Sequence, residues 1–187
     1  MPVRLDADFE SSDLTLLESD FRHKLNDMLR LASKSNMILK VGTTVRGPRR
    51  QAWMWCRSRS PEEITIMQET LAKSAPTMAS LLSLEGSGLG PRMTEHLPGE
   101  SWHQWGEAAD LYVVVNGRAI WEGGWAMKLV AELASKVGLY HSYTAKFDSG
   151  YRKWHAQLRR QETPLHIRDF CESWQFAEEE MHRRFIL

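Results

Sequence analysis

Apolar positions come in helical and strand-like spacings that alternate along the chain. Leu14, Leu17, Phe21, Leu25 and Met28 recur every three or four residues behind Asp13, an N-cap type, and predict a first amphipathic helix with a core-facing stripe. The polar knot Ser33–Asn36 ends it, and Met37–Val41 reads as a short strand. Arg46 follows that strand and leads into a short helix carrying Gln51, Trp53 and Trp55. Ser60-Pro61-Glu62-Glu63 is a capping box with proline at the first helical position, so another helix starts there, breaks near Pro76 and resumes to about Leu84. The glycines of Glu85–Pro91 have no phosphate-binding arrangement, and this stretch reads as an inserted loop at the rim of a cleft.

The second half is richer in strand signals. Leu111–Val115 is an apolar run, and Asn116-Gly117 marks a type I′ hairpin into a returning strand. Trp121 to Val137 then predicts a helix with Trp125, Leu129, Leu133 and Val137 on one face and Gly138 at its C′ position. A strand around Leu139–Thr144, a turn at Asp148-Ser149-Gly150 and a last strand bearing His155 follow. Helices interspersed with hairpin-joined strands imply an α+β fold, a small antiparallel sheet with helices packed mainly on one face. Residues 1–158 form the domain, and 159–187 a helical extension whose aromatic face, with Phe170, Trp174 and Phe176, docks on it.

The chain has 187 residues, 42% of them hydrophobic, which suits a globular domain with a sizeable core. Its formal net charge is zero, which gives no electrostatic case for nucleic acid or an anionic membrane. Cys56 and Cys171 lie far apart without metal or redox spacing and read as buried thiols. No apolar run approaches bilayer length, and the N-terminus lacks a secretory pattern, so synthesis in the cytoplasm is the expectation.

The strongest chemical signal is Ser101-Trp102-His103-Gln104-Trp105-Gly106-Glu107-Ala108-Ala109-Asp110. This S-x-H-x-x-G-x-A-x-D run sets an imidazole and a carboxylate where a loop enters a strand. Both are ligands that zinc accepts, and His155 supplies the third ligand of a site that keeps one position open. Gly106, Ala108 and Ala109 are small enough for the backbone to pass close to the metal. A lone His–Asp pair is more often structural; the whole run is what makes this a metal site.

The run resembles the zinc-dependent D-Ala-D-Ala carboxypeptidases and L-Ala–D-Glu endopeptidases, peptidoglycan peptidases that include phage endolysins and share a fold with the hedgehog signalling domain. Val41-Gly42-Thr43-Thr44-Val45-Arg46, with Gln51 and Ala52, is similar to that family's strand-plus-arginine element. Asp110–Trp121 is similar to its strand, Asn-Gly turn and returning strand, so the likeness covers roughly residues 14–158. It implies a single zinc ion in a cleft held by His103, Asp110 and His155. It implies a peptidoglycan stem peptide as substrate, cut next to a D-amino acid, with Arg46 facing the substrate carbonyl or carboxylate. Ser101, Gln51 and Trp105 are the expected substrate contacts. The likeness also implies an acidic residue three positions before the last histidine, where this chain has Arg152.

An arginine cannot serve as a base at neutral pH. Asp148, upstream in the same turn-rich segment, is the candidate proton carrier, ahead of Glu107 and Glu100 beside the first ligand. Glu107 reads instead as a solvated partner of an arginine. The alternative is a peptidase-fold module that has lost catalysis and binds the cell wall or serves a structural role in a phage or secretion particle. An active enzyme needs a holin, a phage particle or a secretion machine to reach its substrate. Arg46, Arg49, Arg50, Arg57 and Arg59 form a basic cluster, either a solvated helix face or an attractor of stem-peptide carboxylates.

Overall fold

The computed structural model describes residues 5–121, 124–142, 155–157 and 170–187. The chain divides into two compact units: Met1–Glu10, Arg46–Gln104 and Thr163–Leu187 form the first, Ser11–Val45 and Trp105–Glu162 the second. Two-residue strands β1 (Leu5–Asp6) and β2 (Glu10–Ser11) open the chain. Asp13 does act as a cap, but of a single 3₁₀ turn at Leu14–Leu16, where its side chain accepts from the Thr15 amide. The first α-helix, α1 (Ser19–Lys34), starts six residues after Asp13, so Leu14 stands outside it. The Leu17 amide closes the 3₁₀ turn on the Leu14 carbonyl, three residues back, at 3.2 Å.

In the second unit α1 leads to β3 (Ile38–Val41) and β4 (Val45–Arg46), whose last residue, Arg46, already belongs to the first unit. The first unit continues with α2 (Pro48–Cys56), α3 (Pro61–Leu71) and α4 (Pro76–Glu85). The capping box of α3 is complete, with Ser60 and Glu63 each bonding the other's amide. Ala75 offers α4 no side-chain cap, and Glu178 supplies one, its carboxylate accepting from the amides of Thr77 at 2.7 Å and Met78 at 3.2 Å. An anion at a helix N-terminus meets both the free amides and the positive end of the helix dipole. The helical turn α5 (Trp102–Trp105) carries the chain back to the second unit.

The sheet of the second unit is built on β5 (Ala108–Val115). It pairs antiparallel with β3 along one edge, and along the other with β6 (Arg118–Ile120) and β8 (His155–Gln157). The turn between β5 and β6 holds Asn116 and Gly117 at φ 50° and 76°, as a type I′ hairpin requires. Helix α6 (Gly124–Lys136) ends at Gly138, φ 73°, and β7 (Tyr140–His141) pairs with β8. The core lies on one face of the sheet, where Leu39, Ala109, Leu111, Val113 and Ala156 meet Phe21, Leu25 and Met28 of α1 and Met127, Val130 and Ala134 of α6.

The buried stripe of α6 differs from the sequence expectation. Ala126, Met127, Val130, Ala131, Leu133 and Ala134 are buried, whereas Trp125 is 63% and Leu129 38% exposed. The stripe is rotated by about one residue, with Leu133 common to both readings. The chain closes with α7 (Phe170–Arg184) and β9 (Phe185–Ile186), which pairs parallel with β1 in the first unit. Trp174, Ala177, Met181 and Phe185 are buried. No helix among the described residues is long and apolar enough to cross a membrane.

Candidate metal centre

Antiparallel pairing sets the first two groups side by side. Asp110 and His155 are direct partners in the β5–β8 register, and their side chains point to the face of the sheet away from the core. Asp110 Oδ1 and His155 Nδ1 are 3.5 Å apart, both groups largely buried. The Asp110 backbone is pinned on its other edge: its carbonyl accepts from the Gly42 amide and its amide donates to the Thr43 carbonyl, both at 2.8 Å.

His103 stands on α5, just before the chain reverses into β5. The reversal runs through Gly106, held at φ 74°. A Cβ there would lie 3.2 Å from both the Glu18 amide and the Leu16 carbonyl oxygen, and the Gly106 carbonyl accepts from the Glu18 amide at 2.9 Å. The small residue at 106 therefore serves the crossing over Leu16–Glu18 rather than an approach to the metal. Ala109 points into the core. One ligand atom from each of His103, Asp110 and His155 lies within 4.8 Å of the others.

This donor set fits zinc. Ligand bonds of 2.0–2.2 Å in a tetrahedron separate neighbouring donor atoms by roughly 3.3–3.6 Å, a range that includes the Asp110–His155 distance. Two imidazoles and a carboxylate, largely buried, match three-ligand sites with a fourth position left over. The other nitrogen of His155 is also engaged, with Nε2 2.9 Å from Gln157 Oε1. Donation there would turn the Nδ1 lone pair toward Asp110, the outer-shell arrangement that orients metal-ligating histidines. Gln157 carries no motif of its own, and His141, which has no ligand-like spacing in the sequence, stands outside the donor group. His141 is fully buried, and burial first, then the neighbouring His155, lowers its pKa to about 3, so its imidazole is neutral. The alternation around His155 was the available signal for Gln157, since residues two apart share a strand face.

The other expected site residues lie as follows. Arg46 is buried, donating from Nη1 to Gln51 Oε1 at 3.1 Å, with Nε 3.6 Å from Glu10 Oε1. Gln51 is fully buried and its Nε2 donates to the His96 carbonyl at 2.7 Å. Ser101 and Trp105 are buried on either side of His103. Asp148 and Arg152 lie outside the described residues. Glu107, expected as a solvated partner, is buried, because β5 begins immediately after it. Glu100 caps its own turn by accepting from the Leu97 amide.

The basic cluster is not a free anion attractor. Arg49 pairs with Asp8 and Glu85, Arg50 pairs with Glu10 and stacks on Trp53, and Arg57 stacks on the same ring. Arg59 is buried against Trp55, donating to its carbonyl and to that of Thr94, and pairs with Glu95. Cys56 is buried as expected, and burial pushes its thiol up to about 11. Cys171 has no described side chain.

A family model described as VanY, D-alanyl-D-alanine carboxypeptidase, matches residues 14–159, and the chain belongs to that family. A comparison with curated proteins gives no match. Among solved structures, the chain is similar to the LdcB LD-carboxypeptidase, whose structure is described as revealing the molecular basis of peptidoglycan recognition. Identity is 16%, the TM-score 0.44, and the match covers 97% of this chain and 76% of that one. It is also similar to a point mutant of the D,D-pentapeptidase VanY from a VanB-type vancomycin-resistance cassette in complex with Zn(II). That match has 16% identity, a TM-score of 0.42, and covers 88% of this chain and 83% of that one.

Proposed function

We propose that this protein is a zinc-dependent peptidoglycan peptidase that hydrolyses a stem-peptide bond next to a D-amino acid. The observation that carries the reading is the convergence of His103, Asp110 and His155 in a member of the VanY family. When bound, a zinc ion lowers the pKa of a coordinated water and polarises a carbonyl. One ion per chain is the expected stoichiometry, since the three donors form a single group.

The chain's own groups have separable tasks. Asp110 supplies negative charge that favours a cation, and Gln157 fixes the tautomer and direction of His155. Arg46 is the candidate to balance developing charge on a carbonyl oxygen, with Gln51 and Glu10 holding its guanidinium in one orientation. Ser101 and Trp105 are the candidates for substrate contact. Asp148 is the candidate to move a proton from water to the leaving amine, a task whose loss costs on the order of 10²–10⁴ in rate.

Arg152, at the position where the likeness implies an acid, favours a second reading: a member of the family that binds cell wall without cutting it. Purified protein incubated with peptidoglycan, with and without a chelator, separates the two when soluble products are read by mass spectrometry. The peptidase reading expects stem-peptide cleavage that chelation stops and zinc restores. Binding to peptidoglycan with no cleavage under either condition, while Arg152→Glu gains activity, supports the binding module.

A further inference from the structure

The face of the sheet that carries Asp110 continues past the metal ligands into an aromatic strip. Tyr112 lies two residues along β5 from Asp110 and therefore shares its face. Ile120 of β6 pairs with Val113, which brings Trp121 alongside Tyr112, the ring centroids 4.4 Å apart and tilted by 32°. Trp121 then reaches across β5. A Cβ on Gly42 would lie 2.4 Å from Cη2 of Trp121 and 3.0 Å from its Cζ3, while the Gly42 amide bonds the Asp110 carbonyl. The indole thus crosses the strand between Asp110 and Tyr112. Gly42 is not in the left-handed region, so what the position requires is room for that ring rather than backbone freedom.

Trp121 is 37% exposed and Tyr112 half-buried, and Lys40, the register partner of Tyr112, is exposed on the same face. An aromatic surface of this size, continuous with a metal centre and flanked by an ammonium group, suits a ligand with methyl and methylene groups and a carboxylate. Stem peptides carry both.

We propose that Trp121 and Tyr112 form a substrate subsite, with Gly42 holding it open, that binds the stem-peptide segment adjoining the scissile residue. The apolar groups of the peptide lie on the indole face, and Lys40 attracts a peptide carboxylate. This rests on the peptidase reading above. The subsite sets which substrates bind and touches no reacting atom, so its signature is affinity rather than turnover.

The test uses the full chain and a synthetic stem pentapeptide ending in D-Ala-D-Ala. Binding is measured by titration calorimetry with metal chelated, KM and kcat with zinc restored, and zinc content on each variant. Trp121→Ala removes the platform. Gly42→Ala keeps the indole but pushes it aside, and the ring end can move without unfolding the sheet. Both variants are expected to weaken binding and raise KM on the order of tenfold, the scale of losing one apolar contact surface. Zinc content stays at the wild-type level and kcat within about twofold. Wild-type Kd and KM in both variants overturn the subsite while leaving the peptidase reading intact. A wild-type protein that neither binds nor cuts the pentapeptide overturns that reading and the subsite with it. Loss of zinc in both variants assigns the strip a structural role and overturns the proposal as well.

Discussion

The two faces of β5 hold different kinds of residue for different reasons. Ala109, Leu111 and Val113 face α1 and α6 and are buried by packing that any apolar side chains of the right volume would satisfy. Asp110 and Tyr112, interleaved with them, face the other way, where the Asp110 carboxylate lies 3.5 Å from His155 Nδ1 while Gly42 and Thr43 bond only its backbone. One strand thus carries the fold on odd positions and the chemistry on even ones. The lesson is that neighbours in sequence here are strangers in energetics, and substitutions one residue apart should fail in opposite ways.

The largest effects come from cutting that comparison at its centre. Asp110→Ala is expected to abolish zinc binding and hydrolysis while the metal-free protein unfolds at nearly the same denaturant concentration as metal-free wild type. Leu111→Ala, its neighbour, is expected to lose about 2–5 kcal/mol of stability, as large-to-small changes in cores do, while the folded fraction retains zinc. Metal analysis and urea unfolding of both variants check the pair. A large stability loss in chelated Asp110→Ala, or zinc loss in folded Leu111→Ala, breaks the division of the strand into two roles.

A smaller effect sharpens the account of the metal face. Gln157→Leu removes the acceptor that holds His155 Nε2 but leaves all three ligands in place. Outer-shell partners of this kind typically contribute 10–100-fold in metal affinity, so zinc should bind about 10–100-fold more weakly in competition with a chromogenic chelator. Unchanged affinity would mean that the β5–β8 register alone orients the ring.

Much of this was legible in the sequence, for physical reasons that differ by element. The candidate ligands His103, Asp110 and His155, which the structure brings together, sit on or beside short, strongly patterned elements, and a spaced motif carries its own geometry. Asn116-Gly117 and Ser60–Glu63 announce a hairpin and a helix start because those backbone states demand those residues. The misreadings share a cause, which is that they depend on what lies opposite. The arginines 46–59 read as a basic patch, yet their acids at positions 8, 10, 85 and 95 come from distant parts of the chain. What a Cβ on Gly42 would meet, Trp121 and the Asp110 carbonyl, likewise comes from far along the chain.

The smallest expected effect tests the one helix whose apolar face was misassigned. Periodicity alone groups Trp125 with Leu129 and Leu133, and that reading makes Trp125 an anchor whose truncation costs several kcal/mol. The structure keeps Leu133 in the core, joins it with Met127, Val130 and Ala134, and leaves Trp125 mostly in solvent. The buried face of α6 instead carries small side chains at 126, 131 and 134. Trp125→Ser should therefore change stability by no more than about 0.5 kcal/mol, the range of ordinary surface substitutions. Met127→Ala should cost about 2–5 kcal/mol. Urea unfolding of the two variants, compared by midpoint at constant slope, decides the orientation of the helix. If the tryptophan variant is the more damaged, α6 sits on the sheet by the stripe that the sequence suggested.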